Sequence, residues 1–174
     1  MARNSKISQR AQLDAVKRAI MLEIHGLRFY EVAAQRCTNE VARELFKDLA
    51  QDEVRHRQEL QRQFKHLLKG EKAEFTGEAP HKDLRFKDPV IGPDLKQRVE
   101  ETWFDSAALS IGIMLEKKAM DYYRKRQLAS TDKAVKELFG WLAEWEKAHL
   151  DRLMALERAM REEIWNEAQF WPLD

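Results

Sequence analysis

The stretch "LFKDLAQDEVRHRQEL" at residues 45–60 places Leu45, Leu49 and Leu60 on one helical face, and it places Glu53 and His56 on that same face. The pattern returns at 138–153 as "LFGWLAEWEKAHLDRL", with Glu146 and His149 in the matching places. Seven of the sixteen positions are identical, at an offset of 93 residues. The same offset carries "IMLE" at 20–23 onto 113–116 and Tyr30 onto Tyr123. A chain of this kind makes two similar helical hairpins that pack about a pseudo-twofold axis. Its fold must also accommodate acids and imidazoles where core leucines belong.

Four long helical patterns carry this repeat, so the expected fold is all-α. The first runs from about Ser8 to Cys37, with Leu13, Val16, Ile20, Leu27, Tyr30 and Ala34 on one face. The second runs from about Glu40 to Lys69, the third covers at least Ser106 to Ala129, and the fourth runs from about Lys133 to Trp165. "CTN" and "STD" mark tight turns, with Asn39 and either Thr131 or Asp132 as caps. Between the hairpins, residues 70–93 hold three of the four prolines and three of the six glycines. They read as an irregular crossover strapped along the bundle, with Phe75 and Phe86 as anchors. "DLKQRVEETW" suggests a short extra helix before the third long one.

Composition agrees and narrows the function. Charged residues at 35%, with so few glycines and prolines, favour long solvated helices. Lys plus Arg is 31 against 30 for Asp plus Glu, a net charge of +1, and no basic run is interleaved with aromatics. No nucleic-acid partner is expected. The single Cys37 excludes an intrachain disulfide and a Cys-based zinc site within one chain. The N-terminus has no apolar signal core, and no apolar run is long enough for a bilayer. A cytoplasmic location away from membranes is expected.

The spacing of the acids makes the polar residues a set. Glu23 and Glu53 are centred on residue 38, and Glu116 and Glu146 on residue 131; both midpoints fall in the turns. In an antiparallel hairpin, residues equidistant from the turn stand level. Each Glu is 15 residues from its midpoint, roughly 22 Å along a helix. A long crossover lets the second hairpin bring its pair to the same height. In the fourth helix Leu138, Leu142, Glu146, His149, Leu153 and Leu156 share a stripe; in the third, Ile113, Glu116, Met120 and Tyr123 do. Four buried like charges repel strongly. Two divalent cations cancel their charge of −4, and an i, i+3 spacing brings each Glu and His to one ion. Glu23, Glu53, His56, Glu116, Glu146 and His149 are therefore the expected metal ligands. One Glu from each of two helices with Glu-x-x-His from the other two is the ferritin-like dimetal arrangement. Oxygen and imidazole donors suit iron or manganese, with zinc also open.

Other residues carry less. Tyr30 and Tyr123 lie two turns beyond Glu23 and Glu116 on the same faces. They read either as ordinary core aromatics or as hydroxyl donors that orient metal-bound carboxylates. Trp141 and Trp145, beside the ligand stripe, read as packing residues, with a cover over the site or a subunit interface as alternatives. His25, His66 and His81 read as solvated, and Cys37 as an inert helix-end residue. The tail "IWNEAQFWPLD" folds back on the bundle or docks on a partner.

With these residues in hand, the chain resembles the rubrerythrin branch of the ferritin-like superfamily. "IMLEIHGLRFYEVAAQ", "LFKDLAQDEVRHRQEL", "IMLEKKAMDYYRK" and "LFGWLAEWEKAHLDRL" are similar to its four helices in order, over roughly residues 10–160. The resemblance implies a non-haem di-iron site on the same six residues, with Tyr30 as the family's orienting tyrosine. The expected architecture is a single ferritin-like domain over 1–174. It is a four-helix bundle of two antiparallel hairpins, with a crossover at about 70–105 and a C-terminal helical extension at about 161–174. Rubrerythrins usually end in a rubredoxin-like module with two C-x-x-C pairs. One cysteine here implies an external electron donor, a rubredoxin or flavoprotein. Their additional Glu, one turn after the third-helix ligand, is replaced by Ala119, so the set is closer to that of bacterioferritin. Bacterioferritin's haem-binding Met is replaced by Val54, so haem is not expected.

The implied activity is a di-iron oxidoreductase that reduces peroxide or dioxygen. The alternatives are a ferroxidase in iron handling or storage and a non-catalytic helical interaction module with a structural metal. The resemblance also implies a homodimer, with exchange of helices between subunits as a variant.

Overall fold

In the computed structural model, residues 2–71, 75, 77 and 95–167 are described, with backbone alone for 2–8, 95–102 and 163–167. Four helices follow in order: α1 Ala2–Arg36, α2 Glu40–Lys69, α3 Leu95–Ala129 and α4 Lys133–Glu167. α1 packs along α2 and α3 along α4, and the hairpins meet where α1 faces α3 and α2 faces α4. This is the expected four-helix bundle. None of the described helices is long and apolar enough to cross a membrane.

The helix ends follow local chemistry. Asn39 caps α2, its side-chain oxygen accepting from the Ala42 N–H at 2.9 Å. Asp132 does the same for α4, accepting from the Val135 N–H at 3.0 Å. Gly70 ends α2 with φ 68°, a left-handed conformation that suits glycine. Two boundaries differ from expectation. α1 begins at Ala2, because nothing in residues 2–8 interrupts a helix. The short helix expected around "DLKQRVEETW" is the first part of α3, which begins two residues after Pro93 and meets no glycine until Gly112. The crossover is correspondingly shorter than 70–105. Of that segment, Phe75 packs on Trp141 with ring centroids 5.4 Å apart. Phe86, His81 and the tail beyond Glu167 lie outside the described residues.

Two apolar cores fill the bundle, one towards each end. The first gathers Tyr30, Phe46, Leu49, Leu109, Leu153 and Leu156. The second gathers Val16, Leu60, Tyr123, Leu138, Phe139 and Leu142. Full burial of each large side chain contributes about 1.5–3 kcal/mol. The offset of 93 reappears in the packing. Tyr30 stacks on Phe46 at 5.9 Å and 21°, and Tyr123 on Phe139 at 6.0 Å and 26°. Between the cores lies a polar layer.

Candidate metal centre

The polar layer consists of the six residues the repeat singles out. Glu23, Glu53, His56, Glu116, Glu146 and His149 are each at most 3% exposed. Their helices explain the placement. On α4 the whole stripe Leu138, Leu142, Glu146, His149, Leu153 and Leu156 is buried, as is Leu45, Leu49, Glu53, His56 and Leu60 on α2. Glu and His ride inward on leucine periodicity, and the turns at 37–39 and 130–132 bring each hairpin's acids level.

Both imidazoles turn Nδ1 towards the carboxylates. His56 Nδ1 lies 3.1 Å from Glu23 Oε2, 3.6 Å from Glu146 Oε1 and 3.7 Å from Glu53 Oε2. His149 Nδ1 lies 3.4 Å from Glu146 Oε2, 3.6 Å from Glu116 Oε1 and 3.8 Å from Glu53 Oε1. Glu53 and Glu146 each present one oxygen to each histidine. Two overlapping groups result: Glu23, Glu53, His56 and Glu146, and Glu53, Glu116, Glu146 and His149, each with ligand atoms within 4.8 Å of one another.

The charges on this layer are unstable without a counter-ion. Burial pushes the Glu53 carboxyl well above its usual range, and the charge of Glu23 adds to it. Burial does the same to Glu146, with Glu116 adding to it. Burial also opposes ionisation of Glu23 and Glu116. There the close partners win, Glu53 and His56 beside Glu23 and Glu146 and His149 beside Glu116, and both are lowered. Each hairpin thus pairs one carboxyl held low with one pushed high. Burial opposes charging of His149, but its hydrogen bond to Asp52 and the nearby Glu116 carboxylate raise it well above its ordinary value.

The donor set fits a pair of divalent cations. Both Glu146 oxygens and His149 Nδ1 are buried without a hydrogen-bond partner. Orphaned polar atoms of this kind cost about 1–3 kcal/mol each, more when charged. The shared carboxylates face both histidines, so two ions at the two groups would satisfy every one of these atoms.

The sequence matches the rubrerythrin family over residues 14–157. The chain belongs to the rubrerythrin family. The match reaches into all four helices and takes in every residue of the polar layer, and the family is a ferritin-like di-iron one. Neither a curated protein nor a solved structure matches the chain.

The rubrerythrin-like layer is braced across the hairpins. Tyr30 of α1 donates its hydroxyl proton to Glu116 of α3, and Tyr123 of α3 donates to Glu23 of α1. Burial raises both phenols well above their ordinary value, helped by the charges of Glu116 and Glu23 respectively, so both remain protonated donors. Both hydroxyls thus reach carboxylates of the layer on the opposite hairpin. Trp141 and Trp145 stand edge-on to His56, at centroid distances of 5.2 and 5.3 Å. They cover that side of the layer from within the fold. His25 is exposed, and His66 is partly exposed and pairs with Glu71 at 3.1 Å. Cys37 is buried, and burial followed by its hydrogen bond to Asp105 pushes its thiol upward, away from reactivity.

Two residues of the site escaped the sequence reading. Asp52 Oδ2 lies 3.3 Å from His149 Nε2, on the side away from the carboxylates. An acid directly before Glu53 was the available signal, but the repeat has Trp145 there and concealed it. Gly26 lies under Glu53: a Cβ there would sit 3.2 Å from the Glu53 carboxyl carbon. Its signal was a glycine inside a long helix, where alanine is more stable by about 1 kcal/mol.

Proposed function

We propose that this protein is a non-haem di-iron oxidoreductase of the rubrerythrin type, reducing peroxide or dioxygen with electrons from an external donor. The observation that carries this reading is the pair of overlapping groups that share Glu53 and Glu146 within a buried layer. Glu23 and His56 would complete one iron position, and Glu116 and His149 the other. The iron pair, when bound, supplies the two electrons that reduction of peroxide to water requires. The protein's own work is to hold and tune that pair. Tyr30 and Tyr123 fix the terminal carboxylates by hydrogen bonds from the opposite hairpin. The two apolar cores keep bulk water away, and a rubredoxin or flavoprotein would return electrons.

The test is anaerobic mixing of the ferrous protein with peroxide. Oxidation far faster than that of free Fe²⁺ is expected, and oxidation no faster than free Fe²⁺ overturns the reading. A ferroxidase acting in iron handling is the second reading. It is favoured by Ala119, which stands where rubrerythrins proper carry a further Glu. Multiple turnovers of added Fe²⁺ into a mineral would select it. Less than one metal per chain in protein purified without chelators would instead indicate a helical interaction module.

A further inference from the structure

The offset of 93 carries Glu53 onto Glu146 and His56 onto His149, but it carries Asp48 onto Trp141, Asp52 onto Trp145 and Arg55 onto Ala148. The two halves of the layer agree in the residues that face each other and differ in what stands behind them. Behind His149, Asp52 accepts from Nε2 at 3.3 Å. Asp52 is itself buried, and its other oxygen accepts from Arg55 Nη1 at 2.8 Å. Arg152 Nη1 stands 3.9 Å from the first oxygen. Behind His56 there is no acceptor among the described residues. Its Nε2 is buried without a hydrogen-bond partner, and the ring meets the two indoles.

An imidazole that coordinates through Nδ1 carries its proton on Nε2. A carboxylate that accepts that proton's hydrogen bond fixes the tautomer and the ring, and makes Nδ1 more basic. Loss of such a partner lowers metal affinity by about 10–100-fold. His149 has this partner and His56 lacks it.

We propose that the two metal positions are unequal: the position closed by Glu116 and His149 fills first and retains its ion, whereas the position closed by Glu23 and His56 fills second and exchanges it. Asp52 is the positioning residue that sets the difference, acting through His149. This inference rests on the dimetal reading above.

Anaerobic titration of the metal-free protein with Co²⁺, followed by visible absorption and calorimetry, tests it. Two steps of one ion each are expected, about 10–100-fold apart in affinity. His149→Ala should remove the tighter step and His56→Ala the weaker one. Asp52→Leu should weaken the tighter step by on the order of tenfold or more, and Asp52→Asn, which keeps an acceptor oxygen, by less. Far-UV circular dichroism shows that each variant keeps its helices. Two equal steps, a tight step that survives His149→Ala, or a tight step unchanged in Asp52→Leu overturns the inference while the dimetal reading stands. A folded wild-type protein that binds no Co²⁺ overturns the dimetal reading itself.

Discussion

Gly26 shows how finely the centre is fitted. With only a hydrogen where other residues carry Cβ, it leaves room for the Glu53 carboxylate, which faces both histidines; a methyl group would stand 3.3 Å from Oε1, tighter than packed atoms normally come. Gly26→Ala sets two effects against each other. The helix gains up to about 1 kcal/mol from alanine, and Glu53 must move by a few tenths of an ångström. The metal-free variant should therefore melt at the wild-type temperature or above it. Its affinity for divalent metal should fall by on the order of tenfold, the scale of other losses of ligand orientation. Thermal melts of the metal-free form and a metal titration on one preparation check both halves; unchanged affinity would show that Glu53 has slack.

At the scale of elements, the bundle is tied together by Asp105. This buried acid on α3 accepts from the Asn39 N–H at 2.8 Å, the Thr38 hydroxyl at 3.1 Å and the Thr38 N–H at 3.3 Å. It clamps the α1–α2 turn to the second hairpin, so the crossover is not the only link that fixes how the hairpins sit. Asp105→Ala leaves these three donors and the Cys37 thiol without their acceptor and should destabilise the protein by about 1–3 kcal/mol in urea unfolding. Asp105 is 11 residues before Glu116, roughly 16 Å along α3. Metal stoichiometry should therefore be unchanged, and a loss of bound metal in the folded variant would contradict this separation of clamp and centre.

For the whole molecule, the centre makes stability depend on pH in a direction set by its protons. Without metal, Glu53 and Glu146 hold protons well above the ordinary carboxyl value of 4.5, and His149 holds one above 6.5. The unfolded chain releases these protons earlier. Their contribution is complete below the unfolded values and is lost as pH rises through the folded ones. Glu23 and Glu116 act in the opposite sense, but only below the unfolded value. The metal-free protein should thus lose stability as pH rises above about 5, and divalent metal, which displaces these protons, should remove most of that slope. Chemical denaturation across this range, with and without metal, gives the comparison. A metal-free protein that gains stability as pH rises would contradict the proposed protonation of Glu53 and Glu146.

The hairpins, their turns and the inward face of the polar residues follow from the sequence by itself. Leucine periodicity fixes which side of a helix is buried, and Glu53, His56, Glu146 and His149 lie on that side. Equal distances from the turns fix their height, because helical rise is constant. What sequence spacing does not contain is the partner across the bundle. Tyr30 could be placed on the face of Glu23, but its hydroxyl goes to Glu116 on the other hairpin, and Tyr123 returns the contact to Glu23. Asp105 shares a face with Glu116, yet its partners are 66 and 67 residues away in the chain. Gly26 and Asp52 are likewise defined by what approaches them from another helix. Faces and heights are local properties of a helix, read along one chain. Contacts between hairpins depend on how two rigid pairs dock, and only the tertiary structure decides that.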